Sequence, residues 1–148
     1  MTGTDDFLAQ NRLAVVGVSH APKDFTRVVF RALRDRDYDV VPVNPKATEI
    51  EGKPCYPSVQ DVQPAVAAAL VMTKPEMSEQ VVKDCAAAGI RRVWLLRRSP
   101  AAVAFCDANG ISVIAGECPL MYLRDMGWIH RFHGWLKGHR GERLVNVT

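Results

Sequence analysis

The stretch LAVVGVSHAPKDFTRVVFRALRDRDYDVVPVNPK, residues 13–46, decides the fold. An apolar run, Leu13-Ala14-Val15-Val16-Gly17-Val18, stops at Ser19. An amphipathic segment follows, and then a second apolar run over 38–43 that closes on Asn44-Pro45-Lys46. Strand, loop, helix, strand in that order is the opening βαβ unit of a nucleotide-binding doubly wound fold. An enzyme that prefers NAD usually carries an acidic residue at the end of the second strand, where it bonds the ribose hydroxyls. An amide, a proline and a lysine stand there instead, which suits a ligand with additional phosphate charge.

Working outward, the first helix is expected over 24–36. Asp24 can cap it by accepting from first-turn amides. Phe25, Val28, Val29, Ala32 and Leu33 recur at helical spacing and predict its core face. Residues 44–63 are rich in Pro, Gly and polar side chains. They read as turns at 49–54 and 56–58, with a short helix near 58–62. Further strands are expected at 67–72, 92–96 and 111–115. A helix begins at Pro75 and stops before Gly89, with Met77, Val81, Val82, Cys85 and Ala86 as its apolar face. Another begins at Ser99-Pro100 and ends at Asn109-Gly110. Alternation of this kind predicts an α/β, Rossmann-like, doubly wound parallel sheet of about five strands with helices on both faces.

At 148 residues the chain is most simply a single core, and 48% hydrophobic with 24% charged residues is ordinary globular composition. A net charge of +3 is too small to argue for nucleic acid. The four cysteines, Cys55, Cys85, Cys106 and Cys118, form no CxxC pair. They therefore indicate neither zinc nor a thioredoxin-type motif. Residues 1–6 lack the basic and apolar regions of a signal peptide, and no apolar run is long enough for a bilayer. A cytoplasmic protein without a membrane or nucleic-acid partner is the expectation.

Several segments, in order, resemble a known family: Val16-Gly17-Val18-Ser19, Phe25-Thr26-Arg27-Val28, Tyr38-Asp39-Val40-Val41-Pro42-Val43-Asn44-Pro45-Lys46, Ile50-Glu51-Gly52, Cys55-Tyr56-Pro57-Ser58-Val59, Gly89-Ile90-Arg91-Arg92-Val93-Trp94-Leu95 and Cys118-Pro119. Over residues 7–123 the chain is similar to the stand-alone CoA-binding domain family and to the N-terminal domain of the succinyl-CoA synthetase alpha subunit. The resemblance implies coenzyme A, or an acyl-CoA, as the small-molecule cofactor. It implies a site built from Gly17, Val18 and Ser19, from Phe25, Thr26 and Arg27, and from Val43, Asn44, Pro45 and Lys46; Thr73, Lys74 and Pro75, at the next strand end, either flank the adenine or pyrophosphate or simply start a helix at the proline. Two departures stand out. Thr26-Arg27 replace the glycine that often lets the backbone approach phosphates, so Arg27 either supplies a charge-assisted bond or obstructs the loop. Leu96-Arg97-Arg98-Ser99 replaces a glycine-bearing loop after the fourth main strand.

Physical chemistry supports such a site. A helix N-terminus with free amides suits a pyrophosphate, and the 17–26 loop leads into one. Lys46, placed by a rigid proline, can pair with a phosphate. No Ser-His-Asp set, paired acid–base motif or metal cluster is legible, and His20, His130, His133 and His139 fall in no catalytic motif. Binding without catalysis is therefore expected. An NADP-dependent redox protein, or an interaction protein that has lost its ligand, are the alternatives. The missing G-x-G-x-x-G counts against both dinucleotides.

Residues 124–148 read as a basic, aromatic extension in which Trp128, Phe132 and Trp135 would share one face if the segment is helical, although Gly127 and Gly134 disfavour a helix. Such a face docks on its own domain, the favoured reading, joins a second subunit in a homodimer, or covers an acyl chain; an unidentified protein partner is a separate expectation. Deletion of residues 126–148 is expected to lower thermal stability without changing oligomeric state. Loss of a dimer with an intact fold would support the subunit interface instead.

Overall fold

Apolar runs bounded by loops make the strands of a parallel sheet because they can be buried on both faces. The computed structural model describes residues 3–122. Its main strands are β1 (Arg12–Val16), β2 (Asp39–Val43), β5 (Ala68–Val71), β6 (Arg92–Leu95) and β7 (Ser112–Ala115). Between β2 and β5 lie a two-residue-per-strand hairpin, β3 (Glu49–Ile50) and β4 (Lys53–Pro54), and a 3-10 turn at Val59–Asp61. The helices are α1 (Gly3–Leu8), α2 (Phe25–Asp35), α3 (Pro75–Ala87) and α4 (Pro100–Ala108).

The five main strands pair in parallel in the order β2-β1-β5-β6-β7. The chain first steps outward from β1 to β2, then recrosses β1 to reach β5. Right-handed crossovers therefore put helices on opposite faces before and after the reversal. On one face Leu13, Val15, Val40, Leu70 and Trp94 pack with residues of α1 and α2. On the other, Ala14, Val16, Val41, Val71, Val93 and Leu95 pack with the 3-10 turn, α3 and α4. The expected doubly wound α/β sheet with helices on both faces is thus what forms. Cys85 and Cys106 are buried in the second layer, and burial pushes their thiols up to about 12 and about 11.

The expected caps also form. The Asp24 side chain accepts from Thr26 N, Ser99 accepts from Ala102 N, and α3 and α4 each open on proline. The core faces of two helices differ from the periodicity. In α2, Val29, Phe30 and Leu33 are buried with Arg27, while Phe25 and Val28 are 51% and 45% exposed. In α3, Ser78, Val82 and Cys85 face the sheet and Met77 is exposed. A polar residue can take a core position if its polar atoms are bonded. Arg27 meets that condition through the ion pair described below. Ser78 Oγ lies 3.0 Å from Thr73 Oγ1 and donates to the Lys74 carbonyl.

Helix α1 carries too few residues to show a periodicity, and only tertiary contact makes it visible. Phe7 and Leu8 are buried, and the Phe7 ring meets Trp94 edge-on at 5.3 Å between centroids. Tyr38 donates its hydroxyl hydrogen to the Leu8 carbonyl at 2.5 Å. Tyr122 contacts the same indole at 5.6 Å, and Leu120 packs beside it. Segment 49–54, read as a turn, is the hairpin, with its tip at Glu51 (φ 54°) and Gly52 (φ 78°). Trp128, Phe132 and Trp135 lie outside the described residues. No described helix is long and apolar enough to cross a membrane.

Phe7→Ala removes a fully packed aromatic and is expected to cost about 3–5 kcal/mol in urea unfolding. A loss well under 1 kcal/mol would mean that α1 does not belong to the core.

Candidate functional site

Where neighbouring crossovers leave a parallel sheet in opposite directions, a crevice opens at the carboxyl ends of the strands. Here the reversal lies between β1 and β5, and Gly17 sits on it. Its φ of +92° belongs to the region that favours glycine. A Cβ at this position would also lie 3.1 Å from Met72 C and Thr73 N. Gly17 N donates to the Val43 carbonyl, and Met72 N to the Val16 carbonyl. The ends of β1, β2 and β5 are thereby drawn together as the floor of the crevice.

Asn44 braces the next wall. Its Nδ2 donates to the Val18 carbonyl at 2.7 Å, and its Oδ1 accepts from Lys46 N at 2.7 Å. Its backbone N donates to the Tyr56 carbonyl. The Asn-Pro-Lys step is thus a locked turn that puts Pro45 and Lys46 at the exposed rim.

The first loop is stitched to α2. Ser19 N donates to Thr26 Oγ1 at 2.9 Å, and Ala21 N to Ser19 Oγ at 3.0 Å. Thr26 N and Thr26 Oγ1 both donate to Asp24 Oδ2, at 2.9 and 2.6 Å. The first-turn amide of Thr26 is therefore not free, contrary to the simplest expectation for an anion site. The Thr26 hydroxyl, then its amide, hold the Asp24 carboxyl below the usual carboxylate range, and the charge of Arg97 acts in the same direction.

Arg27 resolves the alternatives left by the sequence, because its guanidinium is turned away from the crevice. Nη2 and Nε donate to Glu51 Oε2 at 2.6 and 3.0 Å, and Nη1 donates to the carbonyls of Ser19 and His20. Arg31 and Arg34 also bond Glu51. With these partners, the Arg27 hydrogen bond foremost, the Glu51 carboxyl falls to about 2 from its usual 4.5. Arg27 neither reaches into the crevice nor obstructs it. It pins the back of the first loop to the β3–β4 hairpin.

The crevice encloses about 720 Å³, within the range of small-molecule sites. Of the residues expected in the site, Gly17, Ser19, Thr26, Val43, Asn44, Pro45, Lys46, Thr73 and Lys74 line it. Val18, Phe25, Arg27 and Pro75 are not among its lining residues. Val18 is buried in the core, and Phe25 faces outward. Pro75 opens α3.

Other lining residues were not expected. Pro57, Ser58 and Val59 contribute from the start of the 3-10 turn and the residues just before it, and Glu76, Met77, Gln80, Val81 and Asp84 from α3. Within this set Met77, Gln80, Val81 and Asp84 recur at i, i+3, i+4 and i+7, a second stripe beside the core stripe, with Glu76 at its N-terminal end. The periodicity predicts Met77 and Val81 as core-facing; the structure turns them to the crevice instead. Gln60 and Gln80 each donate an amide hydrogen to Asp84 Oδ1, which ties the turn to α3. Arg97, noted only as a departure, also lines the crevice; His20 does not.

An open parallel sheet with a crevice at its reversal point is the doubly wound α/β architecture, in which ligands bind outside the carboxyl ends of the strands. The chain belongs to the CoA binding domain family, whose model matches residues 11–124. It is 28% identical over 93 residues to the ADP-forming acetate–CoA ligase II subunit alpha of Pyrococcus furiosus; the match covers 62% of this chain and 20% of that subunit. A hypothetical protein from Pyrococcus horikoshii OT3 superposes with a TM-score of 0.78 at 28% identity, over 83% of this chain and 90% of that one. The dinucleotide-forming acetyl-coenzyme A synthetase 1 of Ca. Korarchaeum cryptofilum gives a TM-score of 0.66 at 26% identity, over 72% of this chain and 26% of that one.

Glu51→Gln leaves the buried Arg27 without a counter-charge and is expected to cost about 3 kcal/mol. In the unmodified protein Glu51 contributes fully above about pH 4.5, where it is ionised in both folded and unfolded chains. As pH falls toward about 2 the unfolded chain takes up the proton first, and that stability is lost. Urea titrations between pH 7 and pH 2 should show this acid loss shrinking in Glu51→Gln. An equal acid slope in both proteins would contradict the assignment.

Proposed function

We propose that the protein binds coenzyme A, or an acyl-CoA, in the crevice at the carboxyl ends of β1, β2 and β5, and that it holds the cofactor without carrying out covalent chemistry on it. The observation that carries this reading is the pairing of an apolar floor with a cationic rim. Val43, Val59, Met72, Met77 and Val81 line the crevice together with Lys46, Lys74 and Arg97, and with the carboxylates of Asp24, Glu76 and Asp84, the first held by Thr26 and the last by Gln60 and Gln80. The three cations come from three different strand ends, after β2, β5 and β6. Among the described residues none of them is in a salt bridge. Coenzyme A matches this arrangement: its pyrophosphate and ribose phosphate need cations, and its adenine and pantetheine arm need apolar walls.

Family membership favours coenzyme A over a dinucleotide, and the lysine after β2 counts against NAD. The ligase activity of the larger relatives is not carried over, since the chain spans a fifth of the matched subunit. Lys46, Lys74 and Arg97 are assigned the phosphates. Asn44 and Gly17 are assigned the shape of the floor.

Calorimetry with coenzyme A, NAD and NADP is expected to give the tightest binding to coenzyme A. Lys46→Ala is expected to weaken it by about 1–3 kcal/mol at low salt, with a smaller effect at high ionic strength. Tightest binding to NAD, or no heat with any of the three, would sink the reading.

A further inference from the structure

We infer that Asp24 is a resident anion of the crevice: its carboxylate occupies the donors at the start of α2 that a phosphate would otherwise use, and so makes Asp24 the residue that limits affinity for phosphate-bearing ligands. This rests on the coenzyme A reading and adds to it a determinant of strength and of placement.

Asp24 lines the crevice and is exposed to it. One carboxylate oxygen takes both the amide and the hydroxyl hydrogen of Thr26. The Thr26 hydroxyl oxygen in turn accepts from Ser19 N. Gly17 N, Ser19 N, Ala21 N and Thr26 N are thus all engaged inside the protein. An incoming phosphate finds a fixed negative charge where the fold would offer amides. That charge is ionised at neutral pH, as an ordinary aspartate is, and the Thr26 bonds hold its carboxyl lower still.

Arg97, on the neighbouring loop after β6, acts electrostatically on Asp24 and lines the same crevice. Part of its attraction for a phosphate is offset by the carboxylate. The phosphates are thereby steered toward Lys46 and Lys74, away from the end of α2.

Two substitutions separate charge from capping. Asn and Ser both serve as N-caps, so Asp24→Asn and Asp24→Ser keep α2 started and remove the negative charge. Serine also adds no amide donor that could bind phosphate by itself. Each is titrated with coenzyme A and, separately, with inorganic pyrophosphate, beside the unmodified protein. Both variants are expected to bind each probe roughly three- to tenfold more tightly at low salt, a gain that shrinks as ionic strength rises. In Arg97→Ala, the further change Asp24→Ser is expected to give a smaller gain than it gives with Arg97 present, because no cation is then released from the carboxylate. Unchanged or weaker binding of both probes by Asp24→Asn and Asp24→Ser, with their thermal stability intact, would overturn the inference. If no protein binds coenzyme A while the variants gain affinity for pyrophosphate, the coenzyme reading fails and the role of Asp24 stands.

Discussion

The contact on which the site depends is the backbone approach at Gly17. Strand β1 is the pivot of the sheet, with β2 on one side and β5 on the other. At its end the peptide must turn with φ +92° while passing 3.1 Å, measured from where a side chain would begin, from the Met72–Thr73 peptide. A residue with a Cβ would be strained at that φ and would press the peptide just after β5 aside by a few tenths of an ångström. The crevice follows from that turn, because the loops after β1 and β5 separate there.

The charged residues around the crevice divide into two groups with different work. Behind the first loop, Arg27, Arg31 and Arg34 converge on Glu51. With Arg27 and Glu51 side chains only 9% and 14% exposed, this pair is shielded well enough to matter. It joins α2, two loop carbonyls and the hairpin tip into one unit. At the front, Lys46, Lys74 and Arg97 stand at the rim with Asp24 among them. The rear group sets the shape of the loop, and the front group sets what the crevice attracts.

Local chemistry made much of this legible. Strand and helix order, the proline starts, the Asp24 and Ser99 caps and the place of the Asn-Pro-Lys turn all depend on neighbours within a few residues. The buried faces of α2 and α3 were less legible, since a 3.6-residue period defines a stripe but not its rotation. Phe25 and Val28 fit the period and remain outside; Arg27 breaks it and is buried. Its partner Glu51 is distant in sequence, and no local rule connects them.

The sequence by itself determined that the chain alternates strand and helix, that the sheet is parallel and covered on both faces, and that the segments after β1, β2 and β5 meet at one edge. Those properties follow from apolar run length, periodicity and turn residues, which are local. Tertiary structure alone decided which side chains point into the crevice. It turned Arg27 inward to Glu51, made Asn44 a brace, brought the outer stripe of α3 and Arg97 to the opening, and seated α1 on Trp94. Each of these depends on pairing residues far apart in the chain, whose partners exist only once the sheet has brought their elements together.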